Sequence, residues 1–341
     1  MDKIDFVLPW VDGSDKAWRE LKRKYMDSAT NLSGNSEANA DCRYQDTGLL
    51  RYWFRGVERF APWVNRVFFV TCGQKPDWLD ESNPKLRLVN HKDYIPADYL
   101  PTFQSNTIEL NLHRIPDLSE QFVLFNDDTF LLRPVKPFFF FKKGRPVIPC
   151  DLGIPYWLSH GCLGAPVLVN NSAVLYRNLD VTHLVWKNFW KYADVYHLGF
   201  MRATKNVLTF AANRLLILGA FGHLPQSHLK STFGEIWSKE PRILDQTSRN
   251  RFRGDDGVNQ WLACAWDMVS GRFYQANEKR RGSNLYINSG SLPQICDFIK
   301  HPALPLLCLN DKETGPETDR CFLEVARAFS ELFPEKSSFE K

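Results

Sequence analysis

Strand and helix patterns alternate over the first 135 residues, and this alternation constrains the fold more than any other feature. Strand patterns lie at 4–11, 66–71, 86–90 and 122–125, and helix patterns lie at 16–27, 49–60 and 106–113. Strands that are separated by helices pair in parallel through right-handed crossovers. The sequence therefore predicts an α/β fold with a mostly parallel sheet.

Two adjacent carboxylates follow the last of these strand patterns. The apolar run 122–125 is followed by Asn126 and then by Asp127 and Asp128. Open α/β folds bind ligands outside the carboxyl ends of their strands. Neighbouring carboxylates repel each other unless a cation lies between them, and such oxygen ligands suit Mg²⁺ or Mn²⁺. The pair indicates a metal-assisted site for a nucleotide-linked substrate, although a solvated turn is the commoner origin of such a pair.

Composition narrows the class of protein. A chain of 341 residues fits one large domain or a domain with an insertion. The net charge of +4 is too small to favour a nucleic-acid surface. The eight cysteines are scattered without metal-ligand spacing, which predicts free thiols in a reducing compartment. We find no secretory signal pattern and no apolar run of about 18 residues, so we expect a cytoplasmic protein.

The pattern changes after residue 134. Four Phe at 138–141 precede two Lys, which favours a buried edge strand over a membrane-facing wedge. Residues 181–196 have the spacing of one amphipathic helix; we expect it to pack on the domain, and docking at a membrane surface is the alternative. A further helix is predicted over 255–268. The polar tail, 334–341, is expected to fray.

Several short blocks carry more information than the Asp pair. They are Phe6–Asp15, Arg43–Asp46, Leu50–Tyr52, Glu58–Val64, Val70–Gln74, Trp78–Leu79, Ile108–Glu109, Leu112–Ile115, Phe125–Asp128, His223–Pro225, Phe252–Arg253, Asp255–Asp256 and Cys308–Asp311. In this order and spacing the chain resembles the Stealth family of sugar-1-phosphate transferases. That family includes bacterial capsular-polysaccharide phosphotransferases and the catalytic core of the animal lysosomal N-acetylglucosamine-1-phosphotransferase. The resemblance covers about residues 3–312 and touches all four sequence blocks of the family.

The resemblance implies a fold and a reaction. The fold would be a single Rossmann-like catalytic domain over 1–330, of the GT-A-like nucleotide-sugar-transferase type. Its parts would be a nucleotide- and metal-binding region at about 1–135, a helical acceptor-side insertion at about 150–250, and a return to the site at about 251–312. A UDP-sugar would give its sugar-1-phosphate to an acceptor glycan hydroxyl and release UMP. The donor would be a UDP-N-acetylhexosamine, and no motif aligns over 140–215, where acceptor choice would be encoded.

The resemblance also implies residue roles around one cleft. His223 would be the general base, Arg253 would neutralise the diphosphate, and Glu109 would support the metal or the acceptor. The metal, Mg²⁺ or Mn²⁺, would be held by Asp127, Asp128, Asn310 and Asp311. Substrate contacts would come from Asp12, Gly13, Arg43, Arg51, Gln74, Arg114, Asn126 and Asp256. The structural alternatives are an ion pair of Glu109 with His113 or Arg114, a salt bridge of Arg253 to Asp255 or Asp256, and an Asx turn at residues 310–311.

Two other functions remain open from the sequence. An ordinary metal-dependent glycosyltransferase would cleave the sugar C1–O bond and release UDP. A non-catalytic glycan- or nucleotide-binding protein would use the Asp pair for a structural ion. The expected partners are a UDP-sugar, an oligo- or polysaccharide acceptor and a capsule-assembly contact at the inner membrane face, for which segments 138–141 and 181–196 are the candidates. No nucleic-acid partner is expected.

Overall fold

The computed structural model describes residues 2–29, 32, 36–149, 152–153, 165–212, 217–218, 222–311 and 314–341. Its strands are β1 Ile4–Pro9, β2 Val67–Thr71, β3 Leu86–Asn90, β4 Gln121–Leu124, β5 Thr129–Leu131, β6 Phe141–Lys142, β7 Arg145–Ile148, β8 Leu152–Gly153, β9 Ile217–Leu218, β10 Gln226–Leu229, β11 Tyr274–Gln275, β12 Gly282–Tyr286 and β13 Leu306–Asn310. The four strands predicted in the first 135 residues are all present.

The described helices follow the same alternation at first and then cluster. They are α1 Lys16–Met26, α2 Leu50–Phe60, α3 Ser105–Leu110, α4 Ala165–Asn178, α5 Val181–Lys187, α6 Phe189–Tyr192, α7 Val195–Leu198, α8 Phe200–Ala212, α9 Lys230–Lys239, α10 Pro241–Arg249, α11 Trp261–Val269, α12 Leu292–Lys300 and α13 Pro316–Leu332. Asp15 begins α1 because its carboxylate accepts the backbone N–H of Trp18 at 3.0 Å.

The central sheet has the strand order β10-β4-β1-β2-β3. Strands β1 to β4 are parallel to their neighbours, and only β10 runs antiparallel, beside β4. From β1 the chain first builds outward through β2 and β3, and then returns to place β4 on the other side of β1. This is the Rossmann-like, mostly parallel α/β arrangement that the sequence predicted, and the strand order reverses between β1 and β4.

Both faces of the central sheet are covered. In β1, Phe6 and Leu8 belong to one apolar cluster and Val7 belongs to the other, because successive side chains point to opposite faces. Helices α2 and α13 supply residues to the first cluster, and α9, α10 and α11 supply residues to the second. A strand buried on both faces reads as a continuous apolar run, which explains why these strands were recognisable in the sequence.

A second sheet brings the end of the chain back to the site. It has the order β12-β13-β5, with β13 parallel to β12 and antiparallel to β5. The amide of Leu309 donates to the carbonyl of Asp128 at 2.9 Å, which extends this pairing into the turn after β4. Residue 311 therefore lies next to the Asp pair.

Three predictions about the region after residue 134 need correction. The segment 181–196 is three short helices, α5 to α7, because Asn188 and Asp194 interrupt it as helix ends and caps. The helix predicted over 255–268 begins only at Trp261. The predicted helical insertion, 150–250, contains strand β10, which returns to the central sheet. The hydrophobic periodicity of the sequence did not show where these helices begin and end, or that the insertion contains a strand.

The Phe run is divided between two environments. Residues 137–139 form a 3₁₀ helix in which Phe138 is 59% exposed, whereas Phe140 and Phe141 are buried. Strand β6 lies at the edge of a small sheet of order β11-β7-β6. The predicted edge strand is therefore confirmed only for its last residue.

The prediction of a frayed tail is wrong. Phe339 is buried and packs on Phe54 with ring centroids 5.1 Å apart. The guanidinium of Arg55 donates two hydrogen bonds of 2.7 Å to the carboxylate of Glu340. Phe339 is the one aromatic residue of the tail, so the polar composition of the tail indicated neither this apolar contact nor the ion pair of Arg55 with Glu340.

We expect Glu340→Gln to lower the free energy of unfolding by about 3 kcal/mol, because removing one partner leaves the Arg55 charge buried without its counter-ion. The side chains of Arg55 and Glu340 are only 11% and 2% exposed. Urea denaturation at pH 7 measures the change. Glu335→Gln, at an exposed position of the same tail, is the matched control and should leave stability unchanged. Equal stability of the two variants would show that the tail does not hold the fold.

Candidate active site

The site lies where the strand order reverses. Asp12 follows β1, and Asn126, Asp127 and Asp128 follow β4, so the carboxyl ends of two neighbouring parallel strands carry these residues. Ligands of open α/β sheets bind in the crevice at such a switch point. The fold thus places the Asp pair where the sequence predicted a ligand.

Four carboxylates form the carboxylate cluster: Asp46, Asp127, Asp128 and Asp311. Burial raises the pKa of Asp127 to about 8, and repulsion from the other three members contributes to this rise. Burial also raises the pKa of Asp128 and of Asp311, and the two carboxylates repel each other. Such a cluster carries unbalanced negative charge, which favours a bound cation.

Asp128 has three neighbours that stabilise its charged form. The hydroxyl of Thr129 donates to its carboxylate at 3.0 Å, and the thiol of Cys308 also hydrogen-bonds to it. His223 lies close enough that a positive charge on its imidazole would oppose the burial-driven rise in the pKa of Asp128. The hydroxyl oxygen of Thr129 also lies 3.3 Å from the carbonyl oxygen of His223, a more distant, alternative acceptor for its single proton, and His223 is exposed. His223 and Asp128 are therefore neighbours, whereas their proposed catalytic roles stay predictions.

Asp311 is balanced by a cation on another loop. The charge of Arg43 opposes the rise in the pKa of Asp311. Asn310, which precedes it, is buried and directs its amide nitrogen to Asn284 and to the sulfur of Cys308. Asn310 thus holds β12 against β13 beneath the cluster, whereas its proposed role as a metal ligand stays a prediction.

Gly13 allows the loop that carries Arg43 and Asp46 to approach β1. Its amide donates to the carbonyl of Tyr44 at 2.7 Å, and a Cβ at this position would lie 2.3 Å from that carbonyl oxygen. The φ of Gly13 is not in the left-handed region, so its backbone conformation does not require glycine. The residue is needed for close approach of two backbones.

A second group of polar side chains lies around Arg253. Its guanidinium donates to the hydroxyl of Ser105 at 2.9 Å, and its backbone is fixed by Asn39, which donates to the carbonyl at 3.1 Å and accepts from the amide at 3.0 Å. Burial raises the pKa of Glu109, and the charge of Arg253 partly opposes this. Arg253 therefore faces Glu109, and the alternative pairs with Asp255 or Asp256 are not the ones that the structure gives.

Tyr44 connects the two groups. Burial raises its pKa to about 12, with Arg253 and Arg43 opposing the rise, and its hydroxyl donates to the carbonyl of Phe103 at 2.8 Å. The residue before Tyr44 faces Asp311, and Asp46, two residues after it, faces Asp127. One loop thus contacts both the carboxylate cluster and the Arg253 group.

Some predicted substrate residues have other contacts. Gln74 exchanges two 2.9 Å hydrogen bonds with the backbone of Asp12, so it positions that residue. The guanidinium carbon of Arg51 lies 5.5 Å from the ring centroid of Trp78. Burial raises the pKa of Asp46, and the charge of Arg51 partly opposes this rise.

Three further residues that were predicted to contact the substrate also have contacts within the protein. Arg114 donates to Asn111 at 2.9 Å and lies 4.7 Å from the ring of Trp237, which indicates a packing role. Asp256 accepts from two side chains at the end of α10. Asn126 is exposed, and its carbonyl accepts the amide of Thr129 in the turn at 3.1 Å.

Sequence reasoning missed three members of the site. Asp46 belongs to a block that was recognised, yet no role was assigned to it. Ser105 and Asn39, which position Arg253, lie outside every recognised block, and Ser and Asn are common in loops for unrelated reasons. The one sequence signal for Asp46 was its position in a recognised block, three residues after the basic Arg43.

The donor set fits a hard divalent cation. Carboxylate oxygens are the ligands that Mg²⁺ and Mn²⁺ prefer, and the repulsion within the cluster would be relieved by positive charge. Within the described residues, no three His, Cys, Asp or Glu side chains already form a metal site. A bound cation would therefore have to draw Asp127, Asp128 and Asp311 together.

Comparison with known proteins identifies the family. Family models described as Stealth protein conserved regions 1 and 2 match residues 2–29 and 43–147. The receptor polysaccharide phosphotransferase WefC of Streptococcus gordonii is 36% identical over 100% of this chain and 99% of its own length. The chain belongs to the Stealth family. Its relatives are transferases, so this Stealth protein is an enzyme, and the non-catalytic interpretation is set aside.

Two further relatives and one solved structure complete the comparison. A capsular polysaccharide phosphotransferase WcwK of Streptococcus pneumoniae is 38% identical over 100% of this chain and 99% of its own length. The exopolysaccharide phosphotransferase cps2G of Lactiplantibacillus plantarum is 32% identical, with coverages of 99% and 96%. The solved galactosyltransferase LgtC, in complex with donor and acceptor sugar analogues, is 11% identical with a TM-score of 0.41 and coverages of 98% and 96%, and this distant likeness carries no argument about the site.

Proposed function

We propose that this Stealth enzyme transfers a sugar-1-phosphate from a UDP-sugar to a hydroxyl of an acceptor glycan, forming a phosphodiester and releasing UMP, in capsular or exopolysaccharide synthesis. The observation that carries the proposal is the carboxylate cluster at the strand switch point, joined by one loop to a positioned arginine. Phosphoryl transfer depends mainly on positioning and charge neutralisation, and this arrangement supplies both.

The carboxylate cluster would bind Mg²⁺ or Mn²⁺ through Asp127, Asp128 and Asp311. When bound, the cation would neutralise charge on the diphosphate. Arg43, which faces Asp311, is placed to hold that carboxylate in its charged form. The hydrogen bonds from Thr129 and Cys308 do the same for Asp128.

Arg253 would bind phosphate oxygens of the donor. A guanidinium donates in a two-pronged fork that matches phosphate, and Ser105 and Asn39 already fix its direction. His223, exposed beside Asp128, would take the proton of the acceptor hydroxyl as the new phosphoester bond forms. The bond between phosphorus and the UMP oxygen breaks, and the sugar C1–O bond stays intact.

The released nucleotide tests this function directly. We would incubate the protein with a panel of UDP-sugars, a glycan acceptor and Mg²⁺, and analyse the nucleotide product and the phosphorus spectrum of the glycan. UMP together with a phosphodiester signal supports the proposal. UDP with no phosphorus in the glycan would assign the protein to the metal-dependent glycosyltransferases instead.

We also propose that the enzyme works at the cytoplasmic face of the membrane on an acceptor held there. Among the described residues, no helix has both the length and the apolarity needed to cross a bilayer. Fractionation of cells that express the tagged protein tests the location, and recovery from outside the cytoplasmic membrane would contradict it.

Cation affinity should rise with pH. Because the pKa of Asp127 is about 8 in the folded protein and its ordinary value is 3.8, the metal-free fold loses stability as pH rises between these values. A cation binds the deprotonated carboxylate, so its affinity should increase by about 50-fold from pH 6 to pH 8. Calorimetric titration with Mn²⁺ in buffers of different ionisation heat measures both the affinity and the released proton.

The control for this experiment is Asp77→Asn, at an exposed position after β2, which should behave as the unmodified protein. Asp127→Asn should remove the proton release. A Mn²⁺ affinity that is independent of pH in the unmodified protein would contradict the assignment of Asp127 as a ligand.

A further inference from the structure

Helices α5 to α8 present an unusually exposed apolar surface. Six large apolar side chains within 23 residues are between 56% and 82% exposed, and we call them the apolar ridge: Trp186, Trp190, Tyr196, Phe200, Met201 and Leu208. Single exposed apolar residues are ordinary, but a concentration of this kind marks an interaction surface.

The helices that carry the ridge are held to the rest of the domain by buried residues. Between the members of the ridge lie buried residues that anchor the helices to the domain: the hydroxyl of Tyr192 donates to the carbonyl of Met268 at 2.9 Å, and the ammonium of Lys191 donates to the carbonyl of Phe273 at 2.8 Å. Asn206 donates to the carbonyl of Tyr192 at 3.1 Å and so holds α8 against α6. The exposure of the ridge is therefore a property of an ordered surface.

The charges around the ridge are mainly positive. Residues 186–208 contain the bases Lys187, Arg202 and Lys205 and one acid, Asp194, besides Lys191, whose ammonium is buried beneath the ridge. That acid already accepts a 2.6 Å hydrogen bond from the imidazole of His197. Two copies of such a surface would repel each other, whereas an anionic surface would complement it.

A basic cavity adjoins the ridge. Its volume is about 650 Å³, and its charged lining residues are Lys136, Lys142 and Lys143 with one acid, Asp2; the ring of Tyr274 also lines it. The ammonium of Lys191 lies 5.9 Å from the ring of Tyr274 and 5.2 Å from the ring of Trp190, so one side chain connects the cavity with the ridge. The apolar surface and the additional lysines are therefore neighbours.

We propose that the apolar ridge docks on the surface of an anionic lipid bilayer, with the cavity lysines meeting lipid head groups. Trp and Tyr favour the boundary between head groups and acyl chains, and short helices with basic flanks lie in that plane. Membrane docking deepens the proposed function. One step of the inference, that the acceptor glycan is presented at the membrane, rests on that function. Helix α4, which precedes the ridge, donates from Asn170 to the carbonyls of Asp255 and Gly257, just after Arg253.

Vesicle co-sedimentation of the full chain tests the docking. With vesicles of equal parts phosphatidylglycerol and phosphatidylcholine, we expect Trp190→Ser/Phe200→Ser to bind at least about tenfold more weakly than the unmodified protein. Lys142→Glu/Lys143→Glu should weaken binding to these vesicles, and high salt should do the same. Vesicles of phosphatidylcholine alone should bind poorly.

Leu323→Ser is the matched control, because Leu323 is 64% exposed on α13 and lies outside the ridge. It should bind vesicles like the unmodified protein, and thermal unfolding should show that all variants are folded. Equal binding by the ridge variant and the control would overturn the proposal. A concentration-dependent dimer that the ridge substitution dissociates, without vesicle binding, would assign the ridge to a second copy of the chain and would also overturn it.

An activity assay separates this inference from the proposed function. The ridge variant should keep its turnover on a short water-soluble acceptor and lose about tenfold on an acceptor anchored in vesicles, because only the second needs docking. Equal rates on both acceptors would contradict presentation at the membrane. If the unmodified protein has no transferase activity but binds anionic vesicles, the proposed function fails and the docking surface stands.

Discussion

Asp128→Asn is expected to reduce turnover by about 100-fold or more, because it removes one of the anionic ligands proposed for the cation and the charge that this carboxylate contributes. The side chain keeps its size and can still accept the hydrogen bond from Thr129. Repulsion from Asp128 is one of the causes that raise the pKa of Asp127, so the substitution should bring that pKa down. UMP release at saturating UDP-sugar and Mg²⁺ measures the rate.

The same variant should be at least as stable as the unmodified protein at pH 8. Above the folded-state pKa of Asp127, which is about 8, both members of the pair are charged in the metal-free protein and repel each other. Loss of activity together with retained or increased stability is typical of a site that sacrifices stability for function. A variant that unfolds more easily in chelator, or one with near-normal rates in Mg²⁺, would contradict the metal assignment.

The fold could be predicted where strands are buried on both faces. Strands β1, β2 and β4 are mostly apolar, with one polar or charged residue each, since both faces of the sheet are covered, and their boundaries were found within two residues. The tail could not be predicted, because its order depends on Glu340 meeting Arg55, 285 positions away in the chain. Composition cannot report a contact of that kind.

The sequence identified several residues that the structure brings together in the candidate site, but not the geometry of the site. The Asp pair and Asp311 were recognised from their blocks, and the β5–β13 pairing brings them together. The block that includes Arg43 was also recognised, yet its position depends on the close approach of Gly13 to Tyr44. Local sequence gives no sign of such a contact, which is why Asp46 was left without a role.

Arg253→Lys provides the second large effect that we expect. Lysine keeps the positive charge but cannot donate in a fork, so at least one charge-assisted hydrogen bond to the donor phosphate is lost. Such bonds contribute about 1.5–3 kcal/mol each, which corresponds to a decrease of at least about 100-fold in kcat/KM for the UDP-sugar if two are affected. The matched control is Arg251→Lys, because Arg251 instead donates to the carbonyl of Pro101 at 2.6 Å.

A purely structural role for Arg253 makes a different prediction. If its function were only to balance Glu109, the ammonium of lysine would serve as well, and kcat/KM would stay within a few-fold of the unmodified enzyme. Glu109→Gln tests the same pair from the other side, because burial already raises the pKa of Glu109 and the charge of Arg253 opposes that rise. We expect a loss of about tenfold, smaller than that of Arg253→Lys, since glutamine can still accept a hydrogen bond while Arg253 keeps its contact with Ser105. Equal losses in the two variants would show that the charge balance between Arg253 and Glu109, and not the phosphate contact, is what the site needs.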